Sequence, residues 1–177
     1  VIPYERRQNI SPELERKTQT TLSALQEAAQ FFRRELQKPD HLHARDYLNA
    51  RDISSADIER FNIGFAPDSW NALLMTLKSK GASEQVMEDA GLIIPAQNKP
   101  NHFYDRFRDR IMFPIRNRKG ETIAFGGRII GNGEPKYLNS PETSVFHKGK
   151  ELYGLYELRR DVRNYNEILV VEGYMDV

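Results

Sequence analysis

Apolar residues early in the chain recur at helical spacing: Leu14, Leu22, Leu25, Ala29, Phe32 and Leu36 lie three, four or eight positions apart and share one stripe. Ser11-Pro12-Glu13 supplies an N-cap, a proline at the first helical position and an acid in the first turn, and Lys38-Pro39-Asp40 is a stop. The pattern predicts one long helix. Ahead of it, residues 1–10 have mixed charge and no apolar period, and read as a tether. From His41 to Gly91 short helical patterns alternate with capping signals: His41–Ala50, a turn from Ser54 with Ile58 and Phe61, then Asp68 before Trp70, Leu73, Leu74 and Leu77. Gly81 and Gly91 stand where helices end. Tyr47, Phe61, Trp70 and Leu74 fall on helical apolar faces and are expected in a core.

The period changes after Pro100. Ile111–Ile115 and Thr122–Ile130 are β-rich runs joined through Arg116-Asn117-Arg118-Lys119-Gly120, which predicts a hairpin, and Gly131-Asn132-Gly133 closes its second strand. A helix is expected around Tyr153–Arg163. Ile168–Val171 then reads as a strand buried on both faces, delivering Glu172-Gly173 at its C-terminal end. The fold class is α+β, with a helical part over 11–91, a part carrying a small antiparallel or mixed sheet over 100–164, and from 165 the first strand of a further α/β unit.

Composition narrows the chemistry. The 177 residues contain no cysteine, so this stretch offers no disulfide, Cys-ligated zinc, iron–sulfur cluster or thiol nucleophile. No apolar run approaches the ~18 residues of a membrane span, and the start VIPYERRQ lacks a signal-peptide core. The expectation is a soluble, cytoplasmic chain. The formal charge is only +1, yet Arg106–Lys150 holds ten Lys/Arg against four Asp/Glu, a local +6 set against −5 for the rest. Such a patch attracts phosphates, or is simply a solvated face.

Four groups of residues carry candidate chemistry. Arg106, Arg108 and Arg110 alternate with Phe107 and Asp109, so an extended segment would put all three on one face, either to track a phosphate backbone or to form a charged sheet edge. Gly126-Gly127 permits close approach in a strand and aims Arg128 at the gap, although a bulge explains the pair nearly as well. Lys136, Tyr137 and Asn139 place a cation, an aromatic plane and an amide within four residues, a set that can bind a phosphate, stack a base and hydrogen-bond its edge. Phe146-His147-Lys148-Gly149-Lys150 adds two lysines around an expected core anchor, Phe146. Glu172, after its apolar strand, is a candidate metal or phosphate-site acid, with Asp176 either a second ligand or a cap.

Taken in order, Gly64-Phe65-Ala66-Pro67, Asp105–Ile115, Phe125-Gly126-Gly127-Arg128, Lys136–Thr143, Phe146-His147-Lys148-Gly149 and Glu172-Gly173-Tyr174-Met175-Asp176 resemble the bacterial DnaG-type DNA primases across nearly the whole chain. The resemblance implies the N-terminal subdomain of the RNA polymerase core over 11–164 and the start of a TOPRIM domain over 165–177. It implies a nucleic-acid and nucleotide groove at Arg106, Arg108, Arg128, Lys136, Tyr137, Asn139 and Lys148. Glu172 would be the catalytic TOPRIM glutamate and a ligand for Mg²⁺ or Mn²⁺. Zn²⁺ would belong to a separate N-terminal zinc-binding domain.

The implied activity is synthesis of short RNA primers on single-stranded DNA during replication, in the bacterial replisome at the nucleoid. Implied partners are single-stranded template, ribonucleoside triphosphates, the RNA–DNA hybrid, guanosine alarmones at the lysine–tyrosine–asparagine cluster and the replicative helicase through a C-terminal domain. The chain is expected to be monomeric and, without the family's Asp-x-Asp carboxylates, inactive alone. Asp52 departs from the glycine usual after the arginine matching Arg51. A nucleic-acid-binding module without chemistry and a TOPRIM nuclease or topoisomerase relative are the competing readings.

Overall fold

The computed structural model describes residues 11–97, 99–162, 164 and 166–177. The tether assigned to residues 1–10, and Arg163 at the end of the last expected helix, lie outside the described residues. Helix α1 runs Pro12–Gln37, with the Ser11 side chain accepting from the Leu14 N–H. Its stripe of Leu25, Ala28, Ala29, Phe32 and Leu36 is buried. After a 3₁₀ turn at Pro39–His41 come α2 (Leu42–Asn49) and α3 (Ser55–Arg60), the latter opened by a reciprocal capping box between Ser54 and Asp57. Helices α4 (Ala72–Ser79) and α5 (Glu84–Asp89) complete this stretch, and Ser83 caps α5.

The start of α4 departs from the expectation that Asp68 would cap it. The Asp105 carboxylate accepts from the Leu73 and Leu74 N–H groups at 2.8 and 2.9 Å. A residue more than thirty positions away thus satisfies the orphan donors of this helix. Burial pushes the Asp105 carboxyl above the ordinary aspartate range, against those two hydrogen bonds and the charge of Arg108.

Strands β1 (Gly64–Ala66), β4 (Arg110–Arg116), β5 (Thr122–Ile129) and β6 (Tyr137–Asn139) form an antiparallel sheet in the order β1-β4-β5-β6, and β2 (Ile93–Pro95) pairs with β3 (Phe103–Asp105). The β4–β5 hairpin is the expected one. Strand β1 comes from within the segment read as helical; three residues are too few to show an alternating pattern. Residues opposite one another share a face. Gly64, Met112, Gly127 and Leu138 therefore point one way, and Phe65, Ile111 and Arg128 with Tyr137, and Phe113 with Gly126 and Asn139, point the other.

The first face meets α1, where Phe32 packs edge-to-face on Phe125 at 5.3 Å and a Cβ on Gly64 would lie 2.6 Å from the Phe32 backbone carbonyl carbon. Only glycine lets the strand approach the helix this closely. The second face is covered near β1 by His41 and His43, whose rings pack on Phe65. Helix α6 (Leu155–Asp161) follows a second 3₁₀ turn at Lys148–Lys150, and Phe146 is buried as expected.

Two expectations need correction. Trp70 is 65% exposed, not in the core: it precedes α4 and is held by the Asp105 N–H donating to its carbonyl at 2.8 Å. Ile168–Val171 forms no strand, and Leu169 is 88% exposed. A strand apolar on both faces requires strand neighbours on both sides, and no strand pairs with this segment among the described residues.

Candidate nucleic-acid interface

The three alternating arginines do not share a face. Asp109 adopts φ 49°, which breaks the extended run before β4 begins, and the side chains diverge. Arg110 turns into the α1 side of the sheet, against Gly127, and is buried with its Nη1 3.4 Å from the carbonyls of Gly127 and Lys136. Burial, and then the charge of Arg108, push its guanidinium below the ordinary value. Arg108 leaves in another direction and lies 4.1 Å over the Trp70 ring and 5.2 Å from that of Tyr104. Arg106 reaches across to donate from Nη2 to the Asn139 carbonyl at 3.0 Å, and burial lowers its guanidinium pKa as well.

Arg128 is the least compensated cation. It is 9% exposed, and among the described residues it makes no ion pair and no hydrogen bond; its Nε is a buried donor without an acceptor. What it has is the Tyr137 ring, 4.8 Å from the guanidinium carbon, on the strand opposite. A cation–π contact contributes about 0.5–2 kcal/mol. Desolvating a charge costs several. The side chain therefore holds a positive charge for which the described residues provide no counterion.

Beside this pair, Asn139 is fixed at both ends. Its carbonyl accepts from Arg106, and its side-chain oxygen accepts from the Tyr174 hydroxyl at 2.8 Å. Tyr174 stacks on Phe113 at 5.3 Å with planes 8° apart, and lies across Gly126, where a Cβ would collide with the ring carbon Cζ. Gly126 thus serves a close approach, made by the side chain of Tyr174 and not by a second backbone. Burial raises the Tyr174 hydroxyl pKa, which keeps it a neutral donor.

Lys136 and Lys148 are exposed. Lys148 opens the second 3₁₀ turn and is placed by its backbone N–H, which donates to Glu142 Oε1 at 2.9 Å. That bond, and then His147 at 3.1 Å, hold the Glu142 carboxyl below the ordinary glutamate range. The Ser140-Pro141-Glu142-Thr143 turn thereby presents the lysine, while Ser140, fully buried, donates its own N–H to the Phe125 carbonyl and accepts from the Phe125 N–H.

The structure brings Arg106, Arg128, Tyr137 and Asn139 together, sets Arg108 on a neighbouring aromatic platform, and leaves Lys136 and Lys148 on flanking loops. Sequence reasoning missed the platform residues Trp70 and Tyr104 and the bracing role of Tyr174: Trp70 and Tyr174 act on Arg108 and Asn139, more than thirty positions away, and Tyr104, four residues before Arg108, completes a platform whose other ring, Trp70, is equally distant in sequence.

Glu172 is exposed, and Asp176 turns back to accept from the Gly173 N–H at 3.2 Å, a local cap. Among the described residues no three His, Cys, Asp or Glu side chains gather where a metal could bind. Mg²⁺ takes several hard oxygen ligands. The described residues do not by themselves fit a divalent cation, and no chemical step is assigned to one.

The family profile described as "DNA primase catalytic core, N-terminal domain" matches residues 31–159. A DNA primase of Pseudomonas putida is 53% identical over 154 residues, covering 86% of this chain and 23% of that protein. The DNA primase of Escherichia coli strain K12 is 46% identical over 177 residues, 99% of this chain and 30% of that protein. The chain thus spans less than a third of the length of these relatives. Among solved structures, a DnaG primase catalytic domain bound to ssDNA superposes with a TM-score of 0.83 at 46% identity, covering 92% of this chain and 50% of that one. A DNA primase domain from Pseudomonas aeruginosa superposes at 0.80 and 48% identity, covering 89% and 49%. Among the described residues no helix is long and apolar enough to cross a membrane. The sheet that presents Arg128, Tyr137 and Asn139 is therefore a primase sheet, and the chain belongs to the bacterial DnaG-type DNA primase family, as the N-terminal domain of its catalytic core.

Proposed function

We propose that this chain forms the part of a DNA primase that holds single-stranded template and the phosphates of ribonucleotides while short RNA primers are made. The observation that carries the reading is Arg128, a desolvated cation with no counterion, braced by Tyr137 and bordered by a fixed Asn139 amide. An anion arriving there would pair a charge that the described residues leave unpaired. Tyr137, 39% exposed, offers its ring to a base, and Lys136 and Lys148 add point charges on either side. Contacts to backbone and base planes tolerate any sequence, which a template site requires.

A known relative bound to ssDNA supports the choice of strand over duplex. Glu172 is proposed as one ligand of the Mg²⁺ or Mn²⁺ that primer synthesis requires; a single exposed carboxylate does not make that site. The chain alone is expected to bind and not to prime. The test is fluorescence anisotropy with labelled oligo-dT: Arg128→Ala should lower affinity at least tenfold, whereas unchanged affinity would remove Arg128 from the interface. Primer formation by this chain alone with Mg²⁺ or Mn²⁺ would overturn the assignment of catalysis to a larger carboxylate set.

A further inference from the structure

A second cationic site lies at the opposite end of the β4–β5 hairpin. Its cavity of about 350 Å³ is lined by Arg116, Arg118, Lys119, Lys150, Tyr156 and Arg159, with Glu151 the one carboxylate in the wall. Arg116 is committed to structure: its Nε donates to the buried Glu157 at 2.7 Å, and its Nη2 donates to the Arg60 carbonyl at 2.7 Å. The other four cations make no ion pair among the described residues.

Three elements converge to hold these charges close despite their repulsion. In the hairpin turn, Asn117 Oδ1 accepts from the Lys119 and Glu121 N–H groups at 2.9 and 3.1 Å, while Asn117 Nδ2 donates to Glu121 Oε2 at 2.8 Å. The amide thereby engages one oxygen of the turn's acid, and neither Arg118 nor Lys119 forms an ion pair with it among the described residues. Gly120, at φ 85°, sits against the Tyr156 ring, where a Cβ would be 2.7 Å from Cζ, so α6 closes directly onto the turn and brings Arg159 with it. The Arg116 guanidinium lies 4.9 Å from the same ring, and the Tyr156 hydroxyl has no hydrogen-bond partner among the described residues. The second 3₁₀ turn adds Lys150.

We propose that this cavity is a second phosphate-binding site, separate from the Arg128–Tyr137 face. Arg116 lies five residues along β4 from Ile111, the partner of Arg128, which at ~3.3 Å per residue is about 17 Å. One phosphate group cannot serve both sites. Two sources share the chemistry: the backbone of a strand long enough to reach both, or the polyphosphate tail of a nucleotide held independently.

The test compares wild type with an Arg118→Ala/Lys150→Ala/Arg159→Ala variant and with Lys136→Ala/Lys148→Ala. The probes are inorganic tripolyphosphate, oligo-dT of about five nucleotides and oligo-dT of about twenty, the longer exceeding a single-site footprint. All the replaced side chains are exposed, and circular dichroism checks the fold. Loss of three strand phosphate contacts lowers the salt slope by about 2, so between 50 and 200 mM salt the wild type should lose roughly twentyfold more affinity for the long oligonucleotide than the triple variant does. That result with tripolyphosphate binding unchanged assigns the cavity to the strand. Loss of tripolyphosphate binding assigns it to a nucleotide tail. Equal affinities and slopes for wild type and the triple variant on every probe overturn the proposal. If the lysine pair alone weakens the short oligonucleotide, the Arg128 face stands while this inference falls; if neither variant changes any binding, both fall.

Discussion

The two faces of one four-stranded sheet are built to different ends. Against α1, the sheet offers Met112 and Phe125, and Gly64 allows helix and strand to touch through their backbones. On the reverse, the same strands carry Ile111 and Phe113, on which Tyr174 stacks, then change to Arg128, Tyr137 and Asn139, the last held by the Tyr174 hydroxyl. The glycines show the difference most plainly. A side chain at Gly64 would collide with backbone, which cannot yield, whereas one at Gly126 would collide with the Tyr174 side chain, which can rotate. One face is a core. The other is a second core around Phe65, Ile111 and Phe113 that gives way, toward β6, to Arg128, Tyr137 and Asn139.

Substitutions can break this contrast, and the largest effect should come from the closed face. Phe32→Ala removes a ring that is 1% exposed and should cost about 3–5 kcal/mol in urea unfolding. Tyr174→Ala should cost clearly less; equal losses would show the two faces to be equally structural. Gly64→Ala should follow at roughly 1–3 kcal/mol or more, because α1 must shift, while Gly126→Ala should cost less and act mainly by displacing Tyr174 from Asn139. A Gly126→Ala variant as unstable as Gly64→Ala would place Tyr174 in the core.

On the open face, Lys136→Ala and Lys148→Ala should leave the unfolding midpoint unchanged. Each should reduce the slope of log K against log salt for single-stranded DNA by about 0.7, and an unaltered slope would remove that lysine from phosphate contact. The smallest effect concerns Asp105. Its folded pKa is raised, so the folded state binds more protons than the unfolded one just above the ordinary aspartate value, and stability falls as pH rises through that window. Wild type should therefore lose stability relative to Asp105→Asn as pH rises from about 4 through the raised folded pKa, the unfolded value being about 3.9. A constant gap across that range would mean that the hydrogen bonds from Leu73 and Leu74, with the charge of Arg108, at least balance burial.

The closed face was largely legible beforehand. The spacing of Leu25, Ala29, Phe32 and Leu36, the cap at Ser11 and the hairpin through Asn117–Gly120 are local patterns, each set by residues within a few positions. The open face was legible as composition and only partly as geometry. The local +6 stretch names ten cations, but Arg110 is buried against Gly127, Arg116 is paired with Glu157, and Arg108 lies over Trp70. Alternation suggested one row of arginines, and a single positive φ at Asp109 dispersed them. Trp70 sat on an apolar period and was expected inside; the strand that holds it, β3, begins at Phe103.

The sequence by itself determined the long helix, the hairpin, the family and the residues that carry positive charge, because caps, periodicity and ordered motifs are properties of neighbouring positions. Tertiary structure alone decided which of those charges are paired, stacked or buried among the described residues. A guanidinium is neutralised, stacked or left unpaired according to what the fold places beside it, and for Arg116, Arg108 and Arg128 that neighbour is Glu157, Trp70 and Tyr137, each brought in from elsewhere in the chain.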